Sequence, residues 1–137
     1  MIRYVLDACA LIAVLNKEDG ADSVREIIEQ AEIGAVKVSM NIINLLEVYY
    51  GLYREYGKEV ADNILLEVEA NPIEVMDTIS EDVLKEAGRL KASYKMSVAD
   101  SMAVAEASVS NRILVTSDHH ELKAVETSEN IKFHWFR

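Results

Sequence analysis

Short β-rich runs alternate with longer segments of helical period along this chain, and this alternation constrains the fold more than any other feature. The predicted strands are Ile2–Leu6, Val36–Ser39, Ile73–Met76, Arg112–Thr116 and, as an edge, Ile131–Trp135. Helical segments are predicted at 21–33, 41–56, 58–70, 80–95 and 98–110, and an apolar segment, Ala8–Leu15, follows the first strand. Such long crossovers are what parallel strands require. The sequence therefore predicts an α/β fold with a central, mainly parallel sheet of four to five strands flanked by helices.

The length of the chain, 137 residues, is typical of one domain, and we expect a single domain over residues 1–137. The longest apolar run, Ala8–Leu15, is far shorter than the roughly 18 residues of a membrane span, so no membrane association is expected. The single cysteine, Cys9, allows no internal disulfide. That fits a reducing compartment such as the cytoplasm.

The net charge of −10 is the main obstacle to a role on nucleic acid, because nucleic-acid-binding domains are usually basic. Most of the 24 acidic residues are expected on the solvated surface. Four acids lie where a solvated face is an awkward explanation: Asp7, Glu47, Asp100 and Asp118. These four are the candidate functional residues.

Asp7 and Asp118 each follow a predicted strand. Asp7 is either the N-cap of the apolar segment after it or a functional group, and its position alone leaves both open. Asp118 begins Asp118-His119-His120-Glu121, which has the spacing of a helix cap. Ligands of open α/β sheets bind beyond the carboxyl ends of parallel strands, which is where both acids are expected.

Asp100 lies in the first turn of the predicted helix 98–110. Ser97-Val98-Ala99-Asp100 has the spacing of a capping box, in which the Asp100 carboxylate would bond back to the Ser97 backbone. Taken alone, Asp100 is better explained as a cap than as a ligand.

Helix 41–56 is predicted to be largely buried, because apolar residues surround most of its axis. Its narrow polar stripe consists of Asn44, Glu47, Gly51 and Arg54, which lie three and four residues apart. Glu47 is either an ordinary surface acid or part of a cleft, and Arg54 makes either a structural ion pair or a phosphate contact. Tyr49, Tyr50, Tyr53 and Tyr56 are expected to pack in the core or at a dimer interface rather than stack on bases.

Convergence of the four acids at one edge of the sheet would be destabilising unless cations bind there. Oxygen ligands favour Mg²⁺ or Mn²⁺ over zinc or copper, and Mg²⁺ is the default. A carboxylate site of this kind activates water and holds phosphate oxygens. The predicted chemistry is hydrolysis of a phosphodiester.

Four parts of the chain resemble the PIN-domain family, in particular its VapC-like toxin ribonucleases: Val5–Ala13, Glu47 with Asn44 and Gly51, Asp100–Ala107, and Leu114–His120. The resemblance covers essentially the whole chain. It implies a three-layer fold with a central parallel sheet, and a metal-dependent endonuclease that acts on RNA. Its acidic quartet matches Asp7, Glu47, Asp100 and Asp118, with Asp7 and Asp100 as the main metal ligands.

The resemblance also bears on residues beside the quartet and on partners. Thr116 and Ser117 match hydroxyl residues that orient a ligand or a metal-bound water, although both also suit a turn at a strand end. Cys9 replaces a frequent Ser or Thr, Glu121 replaces a frequent Asp, and neither difference alters the quartet. The implied partners are RNA, a small antitoxin protein and further copies of the chain in a homodimer or higher homo-oligomer.

Other roles for the chain stay open. His119 and His120 are expected to serve the loop or face solvent rather than bind metal. One alternative function is a catalytically silent interaction module of the same fold. The other is a phosphoacceptor receiver domain, which needs an acidic cluster at the first strand and a lysine at a late strand end. Here Asp7 stands alone, and Thr116-Ser117-Asp118 occupies the late strand end.

Overall fold

A computed structural model describes all 137 residues and contains five strands and seven helices. In chain order they are β1 (Ile2–Leu6), α1 (Ala8–Asn16), α2 (Ala21–Glu32), β2 (Val36–Asn41), α3 (Ile42–Tyr56), α4 (Lys58–Ala70), β3 (Ile73–Met76), α5 (Glu81–Ser93), α6 (Val98–Val109), β4 (Ile113–Thr116), α7 (His119–Ser128) and β5 (Phe133–Trp135). The sheet has the order β3-β2-β1-β4-β5, and every neighbouring pair is parallel. The predicted α/β fold is confirmed.

Alternation along the central strands divides the core into two clusters, one on each face of the sheet. Leu6 of β1 and Val115 of β4 pack with α1, α2, α3 and α4, whereas Val5 and Leu114 pack with α5, α6 and α7. Side chains of successive strand residues point to opposite faces, so both faces need helices to cover them. The result is the expected three-layer arrangement.

Most predicted elements agree with the structure to within two residues. Helix α7 is the exception, because it was not among the predicted helices although the cap spacing at Asp118 marks its start. Only Leu122 and Val125 of this helix are buried, so its apolar periodicity is weak. No helix of the fold is both long enough and apolar enough to cross a membrane.

Helix α3 is less buried than its sequence predicts. Asn44, Leu45 and Val48 are buried, but large side chains stay exposed at Leu46, Tyr50, Tyr53 and Tyr56. The prediction of a largely buried helix is therefore wrong, and so is core packing for these three tyrosines. The physical reason is that α3 packs against α1, α4 and α6 on one side only, and nothing in this chain covers the other side.

Candidate metal centre

Asp7 and Asp118 lie at the carboxyl edge of the sheet on neighbouring strands. β1 and β4 pair in parallel with Leu6 beside Val115, and the Asp7 N–H continues this ladder to the Val115 carbonyl at 3.3 Å. Asp118 follows β4 by two residues and is the N-cap of α7. The structure thus places both acids at the edge where open α/β sheets bind ligands.

Asp7 is both a helix cap and a buried acid with an unused oxygen. Its Oδ1 accepts the Ala10 N–H at 2.9 Å, which starts α1. Its Oδ2 is buried and has no hydrogen-bond partner. The pKa of Asp7 is raised to about 7, chiefly by burial; the Thr116 hydroxyl and the Ala10 N–H oppose this rise, and the Asp118 and Glu47 charges add to it.

Asp118 meets two further carboxylates beside this edge. Asp100, Asp118 and Glu121 each offer one oxygen, and these oxygens lie within 4.8 Å of one another. None of the three forms an ion pair with a lysine or arginine. Burial, hydrogen bonding to Glu121 and the Asp118 charge raise the pKa of Asp100 well above its ordinary value. The Asp100 carboxyl therefore holds its proton more tightly than an ordinary carboxyl when no cation is bound.

The start of α6 differs from the predicted capping box. Ser97 Oγ accepts the Asp100 N–H at 3.0 Å, as expected, but the Ser97 N–H donates to Glu121 Oε2 at 3.1 Å. The expectation that Asp100 bonds back to the Ser97 backbone is therefore wrong. Glu121 of α7 accepts the Ser97 N–H instead, and the Asp100 carboxyl belongs to the acidic cluster.

Glu121 is the residue of this cluster that sequence reasoning missed. It was noted only in the cap pattern at Asp118 and as a difference from the resembled family, yet its carboxylate lies against Asp100 and Asp118. The one signal in the sequence was its spacing from Asp118, which places both in one turn of a helix. Its bond to Ser97 joins positions distant in sequence and has no local pattern.

Glu47 projects from α3 into the same cleft. Its side chain is half-buried. Burial and the negative charges of Asp118 and Glu121 raise its pKa. The structure thus brings Glu47 within electrostatic range of the other acids, and the alternative of an isolated surface acid does not fit its surroundings.

The hydroxyl and amide candidates make hydrogen bonds to groups around the acids. Thr116 is buried, and its Oγ1 accepts the Asp118 N–H at 3.1 Å. Ser117 Oγ accepts a hydrogen bond from Arg137 at 3.1 Å. Asn44 is buried rather than part of a water-facing stripe, and its Nδ2 donates to the Ala99 carbonyl at 3.2 Å, so it ties α3 to the start of α6.

Arg54 and the two histidines are not part of the acidic cluster. Arg54 is exposed and forms no ion pair, and its guanidinium lies 5.4 Å from the centre of the Tyr50 ring. The predicted structural ion pair is therefore wrong, and the phosphate contact stays a prediction. His119 stacks on Trp135 with ring centres 4.1 Å apart, and His120 is exposed, so neither belongs to the metal-ligand group.

The donor set fits a hard divalent cation. Every candidate ligand atom is a carboxylate oxygen, which suits Mg²⁺ and Mn²⁺ and not the soft metals. The orphaned Asp7 Oδ2 lacks the donor that a buried carboxylate normally needs, and a cation supplies an equivalent partner. Asp7, Asp100 and Asp118 could hold the ion, with Glu47 and Glu121 beside them.

Comparisons with known proteins agree with this arrangement. The family model for the PIN domain matches residues 4–127. The search of curated proteins gives no match. Among solved structures, VapBC from Salmonella typhimurium bound to DNA is similar at TM-score 0.75 and 18% identity, with 100% of each chain covered. VapBC2 from Rickettsia felis, bound to a DNA fragment from its promoter, has the same TM-score and identity and covers 97% of this chain and 98% of that one.

A third similar structure carries an activity in its name. VapC20 from Mycobacterium tuberculosis, a sarcin-ricin loop cleaving toxin, is similar at TM-score 0.58 and 15% identity, over 81% of this chain and 86% of its own. At these identities the similarity establishes the fold alone. The family match leaves the receiver-domain alternative without support.

Proposed function

This chain belongs to the PIN domain family, and from that premise we propose that it is an endoribonuclease dependent on Mg²⁺ or Mn²⁺ and the toxin of a toxin–antitoxin pair. One observation carries the proposal: five carboxylates converge at the carboxyl edge of the sheet, and no lysine or arginine forms an ion pair with any of them. A fold that leaves such repulsion uncompensated is built to receive cations.

The residues divide the work of hydrolysis between them. A bound divalent cation lowers the pKa of its water and neutralises charge on the scissile phosphate. Asp7, whose Oδ2 has no hydrogen-bond partner, and Asp100 would be the main ligands of this cation. Glu47 and Asp118 complete the ligand shell or hold a second cation. Thr116 accepts the Asp118 N–H beside Asp7 and so fixes the two acids of neighbouring strands relative to each other.

The acidity of the chain then has a direct consequence for substrate binding. At a net charge of −10 the protein repels RNA until cations occupy the acidic cluster. We expect RNA binding to be weak when divalent cations are absent and to strengthen when they are added. Two exposed arginines are candidates for further phosphate contacts: Arg54, on the helix that carries Glu47, and Arg137, which donates to Ser117 beside Asp118.

The test is cleavage of labelled RNA by the purified protein in the presence of Mg²⁺, Mn²⁺ or EDTA. We expect cleavage with either ion and none with EDTA. Asp7→Asn should reduce cleavage by about 10³-fold while the far-UV and near-UV spectra of the protein stay unchanged. The matched control is Asp22→Asn, because the Asp22 side chain is fully exposed on α2. Cleavage that persists in EDTA or in Asp7→Asn would contradict the assignment.

A protein partner is also part of the proposal. The α3–α4 face carries a wholly apolar depression lined by Ile42, Ile43, Leu45, Leu46, Tyr49 and Leu65. One solved structure of similar fold is a toxin–antitoxin complex from Klebsiella pneumoniae. We propose that an apolar segment of a basic antitoxin covers this face, since a partner of opposite charge complements a chain of −10.

Leu46→Glu tests this surface, because Leu46 is 52% exposed and its replacement does not disturb the core. Co-expression with the protein encoded beside this one should suppress RNA cleavage by the wild type but not by Leu46→Glu. If Leu46→Glu instead converts a dimer of the chain alone into a monomer in light scattering, a second copy covers the face and the antitoxin assignment is wrong. RNA that stays intact, together with tight binding of that partner, would favour the silent-module alternative.

A further inference from the structure

Three glutamates, two in α7 and one at its C-cap, each bind a different element of the fold. Glu129 accepts from Arg89 at 2.7 Å and from Tyr94 at 2.6 Å, and Glu126 accepts the Trp135 indole N–H at 2.7 Å. Glu121 accepts the Ser97 N–H at 3.1 Å. Because α7 buries only two apolar side chains, these polar links contribute to fixing its orientation. Only the Glu121 link lies at the metal centre.

The Ser97–Glu121 bond joins the beginnings of two helices. Ser97 is the N-cap of α6, whose first turn carries Asp100, and Glu121 lies in the first turn of α7, whose N-cap is Asp118. The bond therefore connects the two backbone segments that present two of the acids. Each acid reaches the cluster from a different helix, so their separation depends on how these helix starts are held.

We propose that Glu121 is a positioning residue, which clamps the first turns of α6 and α7 together so that Asp100 and Asp118 face each other across the cation site. The inference rests on the proposed metal-dependent function. Glu121 takes the place that the third residue of α6 fills in an ordinary capping box. It thereby satisfies the Ser97 N–H and leaves the Asp100 carboxylate available to the cation.

A different role for Glu121 is that of a simple ligand, acting through its charge alone. Substitution of Ser97 distinguishes the two roles, because the clamp needs the Ser97 N–H and the ligand role does not. Ser97→Pro removes this N–H, and the Ser97 φ of −71° already suits proline. Ser97→Ala keeps the N–H but, like Ser97→Pro, lacks Oγ, so it is the matched control. Neither change alters the charge of the site.

The measurement is the affinity of the full chain for Mn²⁺ alone, by isothermal titration calorimetry. We expect Ser97→Pro to bind Mn²⁺ about tenfold more weakly than Ser97→Ala, the size of effect that removal of an outer-shell partner usually has. Glu121→Ala should weaken binding strongly in the Ser97→Ala background and much less in the Ser97→Pro background. An equal loss in both backgrounds would overturn the clamp and make Glu121 a ligand.

A second measurement needs no metal. Hydrogen exchange of the first amides of α6 that bond within the helix, residues 101–103, should be faster in Glu121→Ala than in the wild type. Glu121→Gln keeps a carbonyl that accepts the Ser97 N–H and should exchange like the wild type. Rapid exchange in Glu121→Gln, or unchanged exchange in Glu121→Ala, would contradict the clamp even if Ser97→Pro fails to fold.

The two proposals fail in different ways. A wild-type chain that binds no Mn²⁺ would contradict the proposed metal-dependent function, whereas the exchange experiment would still report on the clamp. A wild-type chain that binds Mn²⁺ but shows no coupling between positions 97 and 121 would contradict the clamp alone.

Discussion

Two clusters of acids in this molecule have opposite electrostatic properties. At the metal centre, burial raises the pKa of Asp7 and Asp100. Between α5 and α7, hydrogen bonds from Arg89 lower the pKa of Glu86 and Glu129. Arg89 Nε lies 2.6 Å from Glu86, and its Nη2 lies 2.7 Å from Glu129. The second cluster contains its own cation and the first does not.

The difference shows how structural and functional acids can be told apart in a chain that has 24 of them. The Glu86 and Glu129 side chains are largely covered, at 20% and 18% exposure, so burial of a carboxylate alone does not mark a site. What marks the metal centre is burial without a cationic partner. Acids that the fold neutralises hold helices together, and acids that it leaves unneutralised are available to a ligand.

The largest test of this comparison is the pH dependence of stability in EDTA. An acid whose pKa rises to about 7 on folding binds its proton more tightly in the folded state, so stability falls as pH rises from about 4 to about 7. Between pH 5 and pH 8 the wild type should lose about 3 kcal/mol more of its free energy of unfolding than Asp7→Asn does. Urea unfolding at several pH values measures this.

The matched control comes from the other cluster. The pKa of Glu86 is lowered on folding, so its contribution is present above its ordinary pKa and is lost only as pH falls below that range. Glu86→Gln should therefore leave the profile between pH 5 and pH 8 parallel to that of the wild type. Parallel profiles for Asp7→Asn and the wild type would mean that the Asp7 carboxyl is not perturbed.

The next effect is stabilisation by the divalent cation itself. At a Mn²⁺ concentration about 100 times the dissociation constant, binding to the folded state raises the free energy of unfolding by about 2.7 kcal/mol. Thermal unfolding at pH 7.5 with and without Mn²⁺ measures the shift. Asp100→Asn should abolish most of it, and Arg89→Met should retain it. A shift that survives Asp100→Asn would place the cation elsewhere.

The smallest effect concerns the α5–α7 cluster. Arg89→Met leaves Glu86 and Glu129 without their guanidinium and should lower the free energy of unfolding by about 1–2 kcal/mol, a value reduced because the Arg89 side chain is 47% exposed. Arg25→Met removes a pair whose acid, Asp22, is fully exposed, and it should leave the free energy of unfolding essentially unchanged. If urea unfolding shows that the two substitutions lower the free energy of unfolding equally, the ion pairs of Arg89 contribute no more than the exposed pair of Arg25.

The sequence was sufficient for features that depend on local pattern. Strands β1 and β3 and helix α4 lie where their periodicity predicts, and Pro72 separates α4 from β3 as a residue without an N–H should. Asp7 as a cap followed from its position between a strand and an apolar segment. The convergence of acids followed from the rule that parallel strands end at one edge.

Features that depend on distant contacts were beyond local pattern. Tyr50 and Tyr53 are exposed because the rest of the chain covers the other side of α3. The sequence could not predict this, because a helix that packs on a partner has the same apolar periodicity as one that packs on its own chain. The predicted capping box at Ser97 is half right. The Ser97 N–H does bond to an acid, but that acid, Glu121, lies on another helix. Helix α7 was missed because its apolar periodicity is weak. Hydrogen bonds of its polar side chains and of its C-cap help to hold it against the rest of the fold.

The strand order also sets when during synthesis the acids can meet. β1 is central and pairs with β4, so that Tyr4 lies beside Ile113, and contacts so distant in sequence form slowly. The segment containing β1, β2 and β3 leaves the ribosome first, with Asp7 and Glu47 in place, and Asp118 follows only after β4. A part-made chain therefore has no complete metal centre. Under the proposed ribonuclease function, this order withholds activity until the last quarter of the chain has folded.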